Sequence, residues 1–281
     1  MNDNNLGLYI VATPIGNLGD ISKRAVETIQ TADFIICENP NHSLKLLNKL
    51  GIKKKLISLH DYNENTVIQK LSSQLRERKI VLISDAGSPL VSDPGFKLLK
   101  YCIKNNVAVT SIPGPNAIIP ALQLSGISLN QFSFLGFFPK TKKDMINFID
   151  KIKVCNETSV FFVSNHKIEE CLELINSQMN ERQISVVKEL TKINEKIYRG
   201  LASNIRREIS LQNDKVKGEF VIVVEGNIYE KKDSADLSEY NHEIKKMLIK
   251  FSLTDVVEIV HKLTGITKNK VYKWVLKLKK T

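Results

Sequence analysis

The chain has 281 residues and a formal net charge of +11, with 42% hydrophobic and 25% charged residues, the balance of a globular protein that buries a core and not of a disordered one. No run reaches the roughly 18 apolar residues of a membrane span, and Met1-Asn2-Asp3-Asn4-Asn5 lacks the basic start and apolar centre of a signal peptide, so a cytoplasmic location without a membrane partner is expected. Cys37, Cys102, Cys155 and Cys171 form no C-x-x-C pair, and the five histidines show no H-E-x-x-H or H-x-x-x-H, so neither disulfides nor a metal is expected.

Five β-branched or apolar runs open the chain: Leu8–Ala12, Phe34–Cys37, Leu56–Leu59, Ile80–Ser84 and Val107–Ile112. Amphipathic segments lie between most of them, including Lys23–Thr31 and Val67–Leu75. Strand then helix, repeated, predicts a mainly parallel sheet covered on both faces, an N-terminal α/β domain over residues 1–125 that ends with a helix at Ala117–Leu124. A second series follows at Phe132–Phe137, Ser159–Val163, Ile184–Lys188, Lys196–Leu201 and Phe220–Glu225. The last two lie too close for another full covered crossover, so a mixed sheet with antiparallel pairing is expected over residues 126–229.

Polar residues Glu230–Tyr240 read as a linker to a small helical module at 241–281. Its first helix covers Ile244–Phe251, Ser252-Leu253-Thr254-Asp255 opens a second as a capping box that Gly265 ends, and Thr267 starts a third. In the third helix Val271, Trp274, Val275 and Leu278 share one face, while Lys270, Lys273, Lys277 and Lys280 fall on the other. This is the pattern of a helix-turn-helix-like module. Lysine outnumbers arginine 34 to 7, as the codons of an A/T-rich genome alone would produce, so the place of the charge says more than its total. Residues 242–281 hold ten lysines against three acids, and Lys268, Lys270, Lys273 and Lys277 are candidates for phosphate contact, with a solvated lysine face as the alternative.

Three loops rich in Gly and Pro follow strands of the first series: Thr13–Asp20, Ser84–Pro89 running on to Ser92–Gly95, and Pro113–Asn116. Open α/β sheets bind ligands at the carboxyl ends of their strands, and glycine lets a ligand approach backbone amides, so these loops form a candidate small-molecule cradle. Asp20 reads either as part of this cradle or as a cap of the following helix, and Asp85 at a strand end either caps or holds a ligand. The first loop lacks the third glycine of G-x-G-x-x-G and no G-x-x-x-x-G-K-[ST] occurs, which disfavours nicotinamide and nucleoside triphosphate.

Leu8–Ile21, Ser84–Leu90 with Asp93-Pro94-Gly95, Pro113-Gly114-Pro115, Glu189-Leu190-Thr191-Lys192 and Lys217-Gly218-Glu219 resemble, in order and spacing, the signature blocks of the small-subunit ribosomal RNA methyltransferases of the tetrapyrrole-methylase class. The resemblance implies an α/β fold of two α/β domains with S-adenosylmethionine in the cleft between them, plus the small helical module. It implies 2′-O-methylation of a cytidine in the decoding region of 16S rRNA, and a homodimer. By motif match Pro14, Gly16, Asp85, Gly87, Ser88, Pro89, Pro113 and Gly114 would line the cofactor, with Glu189–Lys192 and Lys217–Glu219 contributing from the second domain.

The implied chemistry is in-line displacement at a sulfonium methyl, which needs a base for the ribose hydroxyl. His42, Glu38, Lys188 and Glu189 are the candidates, and the sequence does not choose among them. Two blocks depart from the family pattern: Glu38-Asn39-Pro40-Asn41-His42-Ser43 stands for E-D-T-R-H-T, and Val163-Ser164-Asn165-His166-Lys167 for Y-E-S-x-H-R. Neither asparagine nor lysine reproduces the bidentate reach of arginine. Two rival readings follow: a methyltransferase of the same fold acting on a small tetrapyrrole-like molecule, against which the basic tail argues, and a non-catalytic RNA- or ribosome-binding derivative, against which the intact loops argue.

Overall fold

The strand-helix alternation of the first 125 residues folds into an open parallel sheet in the computed structural model, which describes residues 6–211, 218–227, 237–264 and 266–279. In chain order the elements are β1 (Gly7–Val11), α1 (Lys23–Gln30), β2 (Phe34–Cys37), α2 (Pro40–Lys49), β3 (Lys55–Ser58), α3 (Glu64–Leu71), β4 (Lys79–Ile83), α4 (Phe96–Lys104), β5 (Val109–Ile112) and α5 (Ile118–Ser125). The strands lie in the order β3-β2-β4-β1-β5, every pair parallel. Period-2 alternation sends Leu8, Ile36, Ile80 and Leu82 to one face, under α3 and α4, and Val11, Ile35, Val81 and Ile83 to the other, under α1 and α2. Both faces being covered explains why the inner strands β1, β2 and β4 are apolar along almost their whole length, while the outer β3 and β5 carry polar residues. The segment expected as one helix over Val67–Leu75 is instead α3, beginning earlier at Glu64, followed by a separate 3₁₀ turn at Gln74–Arg76.

The second series gives β6 (Phe132–Phe137), α6 (Lys142–Val154), β7 (Thr158–Ser164), α7 (Ile168–Gln178), β8 (Gln183–Lys188), β9 (Lys196–Leu201), α8 (Ala202–Ser210) and β10 (Glu219–Val224), in the order β6-β7-β10-β8-β9. The sheet is mixed: β6 runs parallel to β7, while β7–β10, β10–β8 and β8–β9 are antiparallel. The reason expected for this is corrected. The stretch between β9 and β10 does hold a helix, α8, and the two strands are not neighbours, because β8 lies between them.

Helices α6, α7 and α8 cover one face of this sheet through Met145, Ile149, Leu172, Ile175 and Ile205. The other face is closed by α5, whose Ala121 and Leu122 pack on Val160, Val187, Val221 and Val223. The last helix of the first series is thus the lid of the second sheet. The chain up to Gly226 forms one compact unit holding both sheets, and the chain from Asn227 forms a second.

The second unit contains a 3₁₀ turn at Leu237–Tyr240 and three helices, α9 (Asn241–Lys250), α10 (Leu253–Thr264) and α11 (Lys268–Lys279). Its core is Ile244, Val256, Val257, Val260, Ile266, Val271 and Val275, with Trp274 and Leu278 packed against it. The expected capping box is present: Asp255 N–H donates to Ser252 Oγ at 3.2 Å and Ser252 N–H to Asp255 Oδ2 at 3.3 Å. Trp274 Nε1 donates to Asn241 Oδ1 at 3.0 Å, joining α11 to α9. Gly265, Lys217, Lys280 and most of the expected linker lie outside the described residues.

Because this unit has its own core, it melts on its own account. Ile244→Ala, at a fully buried position, is expected to cost about 2–5 kcal/mol and unfold a module of this size. Amide exchange should then rise across α9–α11 while the strands of both sheets stay protected.

Candidate functional site

In the first sheet the connections leave β2 towards β3 and β4 towards β5, in opposite directions, which opens a crevice at their carboxyl ends. The loops after β1, β4 and β5 are stitched together beside it. Thr13 N–H donates to Gly87 O at 2.8 Å and Gly87 N–H to Thr13 O at 3.0 Å, an isolated antiparallel bridge between two otherwise parallel neighbours. Thr13 Oγ1 donates to Ser84 O at 3.3 Å, and Ser88 Oγ to Pro115 O at 3.3 Å, which draws in the third loop. Gly87 has φ +79°, where L side chains are strained, and a Cβ there would stand 3.3 Å from Ile15 Cγ2. A Cβ on Gly114 would stand 3.0 Å from Ala12 Cβ. The loops carrying Pro14, Gly16, Asp85, Gly87, Ser88, Pro89, Pro113 and Gly114 therefore meet along one edge. Asp20 does not cap α1: Ser22 does, its Oγ accepting from Ala25 N–H at 3.1 Å, while Asp20 closes a 3₁₀ turn capped by Asn17.

The opposing wall comes from the end of β8. Glu189 and Thr191 have φ of +51° and +65°, left-handed conformations uncommon for side-chain-bearing residues, and they fold Glu189–Lys192 into a tight turn. Lys192 Nζ reaches Glu189 Oε1 at 2.9 Å and Glu219 Oε2 at 3.1 Å, while Glu219 N–H donates to Glu189 Oε1 at 2.9 Å. Only glycine fits at 218, where φ is +123° and a Cβ would lie 2.8 Å from Glu189 Cγ. This turn presses on the first loop: a Cβ on Gly16 would be 2.5 Å from Lys192 Cγ and 2.7 Å from Thr191 Oγ1. Thr191 Oγ1 is buried and lacks a hydrogen-bond partner.

Burial would push the Glu189 carboxyl up, but hydrogen bonds from Lys192 and from Glu219 N–H outweigh it and hold the group below the usual carboxylate range. Burial would likewise lower Lys192, and its bonds to Glu189 and Glu219 hold it above the ordinary lysine value. Glu189 was a candidate base. Its carboxylate is instead committed to shaping the turn, and a group held ionised by an ammonium is poorly placed to take a proton. Lys188 ends β8 in register with Lys196 and Phe220, and His42 is exposed on the first turn of α2.

The crevice between β2 and β4 carries the carboxylates. Asn39 N–H donates to Asp85 Oδ1 at 3.3 Å, joining the two loops. Burial raises the Glu38 carboxyl, and the negative charges of Asp85 and Asp61 raise it further. Asp93 is pushed up to about 6, first by burial and then, against a hydrogen bond from Ser84, by Glu38 and Asp85. Leu90 and Ser92, both at φ +72°, shape the bend that delivers it. Asp93 belongs to the Asp93-Pro94-Gly95 block, from which no role for it was expected. The available signal was a carboxylate held by Pro94-Gly95 at the end of a strand-end loop.

The first departing block keeps its local job. Asn39 caps α2, its side chain accepting from Asn41 and His42 N–H at 3.1 and 3.3 Å, with Pro40 at the first helical position. In the second block Lys167 pairs with Glu170 at 2.8 Å at the start of α7. Lys268, Lys270, Lys273 and Lys277 are exposed on α11, and the Lys277 ammonium lies 5.6 Å from the Trp274 ring centroid.

Two α/β sheets in one unit, with Gly/Pro loops of the first facing a strained turn of the second, define a class. Residues 7–206 match the family of tetrapyrrole (corrin/porphyrin) methylases, and the chain belongs to it. Within it, the chain is similar over nearly its whole length to ribosomal RNA small subunit methyltransferase I. It is 38% identical to that protein from Haemophilus influenzae, over 96% of each chain. Identity is 37% to that of Halalkalibacterium halodurans, over 94% of this chain and 93% of the relative. The Escherichia coli O157:H7 protein is 34% identical over 98% and 96%. Among solved structures, diphthine synthase superposes with a TM-score of 0.59 at 17% identity, over 79% of this chain and 90% of that one. Uroporphyrin-III-C-methyltransferase from Thermus thermophilus gives 0.53 at 15%, over 77% and 93%. At those identities the likeness is one of fold.

The seam at Gly16 leaves no room for even a methyl group. Gly16→Ala is expected to displace the Lys192 stem and Thr191, costing about 1–3 kcal/mol as an overpacking change. The melting temperature of the first unit should fall accordingly, with that of the helical module unchanged.

Proposed function

We propose that this protein transfers the methyl group of S-adenosylmethionine to the ribose 2′-hydroxyl of a cytidine in the decoding region of 16S rRNA. The observation that carries the reading is that the three Gly/Pro loops are joined to one another and that the first of them meets the Glu189–Lys192 turn at Gly16. The likeness, 34–38% identical over nearly the whole chain, to proteins named ribosomal RNA small subunit methyltransferase I supports ribosomal RNA as the substrate. The residues fit the cofactor: Gly87 and Gly114 let the three loops pack closely beside the crevice, the unpartnered Thr191 Oγ1 offers a hydrogen bond at the seam, and nearby carboxylates suit a cationic ligand. Pro14, Gly16, Asp85, Gly87, Ser88, Pro89, Pro113 and Gly114 would hold it, with Thr191. When bound, S-adenosylmethionine supplies a methyl group on a positively charged sulfur.

The chain's own tasks are alignment, exclusion of water and removal of a proton from a weak acid. Asp93 is the base favoured over the candidates His42, Glu38, Lys188 and Glu189, as the crevice carboxylate that burial raises furthest. Its carboxyl, at about 6, is ionised at neutral pH yet basic enough to accept the hydroxyl proton on a carboxylate oxygen. Lys192 acts as a positioning residue, holding Glu189 and Glu219 so that the turn meets Gly16. The phosphate contacts fall to Lys268, Lys270, Lys273 and Lys277. Asn39 still caps the helix start in the first altered block, and the intact Gly/Pro loops favour an active enzyme over a degenerate binder.

Purified protein given labelled S-adenosylmethionine and small ribosomal subunits lacking their decoding-region methylations should place the label on a ribose 2′-oxygen, read by mass spectrometry. Label on a base, or transfer only to a small molecule, would sink the proposal. In the same assay the rate should rise with pH through about 6 as Asp93 ionises. Asp93→Asn should lose about 10²–10⁴-fold in rate together with that limb, while cofactor binding persists.

The homodimer carried by the resemblance needs a surface, and the outer strand β6 offers Phe132, Leu135 and Phe137, all exposed. If this surface pairs, sedimentation should show a dimer that Phe137→Glu dissociates; a monomeric native chain would remove the dimer from the reading.

A further inference from the structure

We propose that α11 binds an unpaired RNA base on the ring of Tyr272, with its lysines holding the flanking phosphates. The inference rests on the reading of the chain as an RNA methyltransferase and adds to it a site and a ligand form, single-stranded RNA.

The core stripe of α11 is complete without Tyr272: Val271 and Val275 are fully buried, and Trp274 and Leu278 pack beside them. At 100° per residue Tyr272 falls outside that stripe, and 45% of it is exposed. Lys268, four residues before it, and Lys279, seven after, share its side of the helix, with the half-buried Leu276 beneath. Lys270, Lys273 and Lys277 occupy the rest of the outer arc. The helix has no Asp or Glu, although i,i+4 acid–base pairs are the usual way to stabilise an exposed helix face. The Glu258 carboxylate of α10 is bound to Lys262 at 3.0 Å and is held below its ordinary range by Lys262 and, more weakly, Lys268.

A solvated lysine face gains nothing from a tyrosine, which forms helix less readily than the lysine or alanine that could stand there. Phosphate binding alone does not use an aromatic ring either. A ring among cations does suit one ligand, a strand whose bases are free to stack and whose phosphates lie on either side. Paired RNA buries its base faces and cannot use the ring. The platform is braced: α11 is joined to α9 through Trp274 and Asn241, and the Lys277 ammonium rests on the indole.

The test uses the full chain and an unstructured RNA oligonucleotide with 2-aminopurine at its centre, following base fluorescence and affinity across a salt series. Binding should quench the fluorescence. Tyr272→Ala should remove the quench and weaken binding about 5- to 100-fold with the salt slope unchanged, while Tyr272→Phe keeps both, since stacking uses the ring and not the hydroxyl. Circular dichroism should report full helix content for both variants, as the position is exposed. Unchanged affinity and quench in Tyr272→Ala overturn the stacking site and leave the RNA reading standing. Duplex RNA or DNA bound as tightly as the single strand overturns it as well. Absence of salt-dependent RNA binding by the native chain overturns both.

Discussion

The arrangement of the site depends on a missing side chain. Gly16 is where the first sheet's leading loop meets the turn that ends β8, and the closest atoms there, Lys192 Cγ and Thr191 Oγ1, stand where a Cβ would intrude. Those atoms are themselves fixed. Lys192 is held by two carboxylates, and the turn has two residues in the left-handed region, conformations that persist only when surrounding contacts over-determine them. Backbone strain, an ion triad and a glycine thus act together to bring two separately built sheets to one working distance.

Charge is divided between the two units by task. The crevice between β2 and β4 gathers Glu38, Asp85 and Asp93, where partial burial and, after it, the charges of the neighbouring carboxylates push Asp93 up to about 6. The helical module concentrates lysine. The same charge that would attract a polyanion to the lysines would repel it from the carboxylates.

Much of this was legible in the residues. Apolar or β-branched runs of four to six residues marked the ten strands of the described residues to within two residues, Phe34–Cys37, Phe132–Phe137 and Lys196–Leu201 without any shift. The capping box at Ser252 and the stripe on α11 followed from local chemistry alone. What could not be read depended on distant partners. The apolar face of α5 does not say which sheet it covers. Nothing near Glu189 announces that Glu219 will join its ion triad, and Asp93 owes its shift first to burial in the folded crevice and then to Glu38 and Asp85, more than fifty and eight residues away in the chain. The pairing of β10 between β7 and β8 was hidden for the same reason, since local spacing says nothing of which strands a late arrival will separate.

That late arrival has a consequence for how the chain comes into being. Helix α5 finishes at Ser125, yet the strands it must cover include β10, which ends at Val224 and fills the gap between β7 and β8. During synthesis the first sheet can close around its own helices, while α5 keeps an apolar face exposed for about a hundred further residues. The second sheet meanwhile has a vacancy at its centre that only its last strand fills, a long-range pairing of the kind that slows folding. The nascent protein is therefore most vulnerable to misassociation just before Val224 leaves the ribosomal tunnel, and β10 is the keystone whose insertion ends that interval.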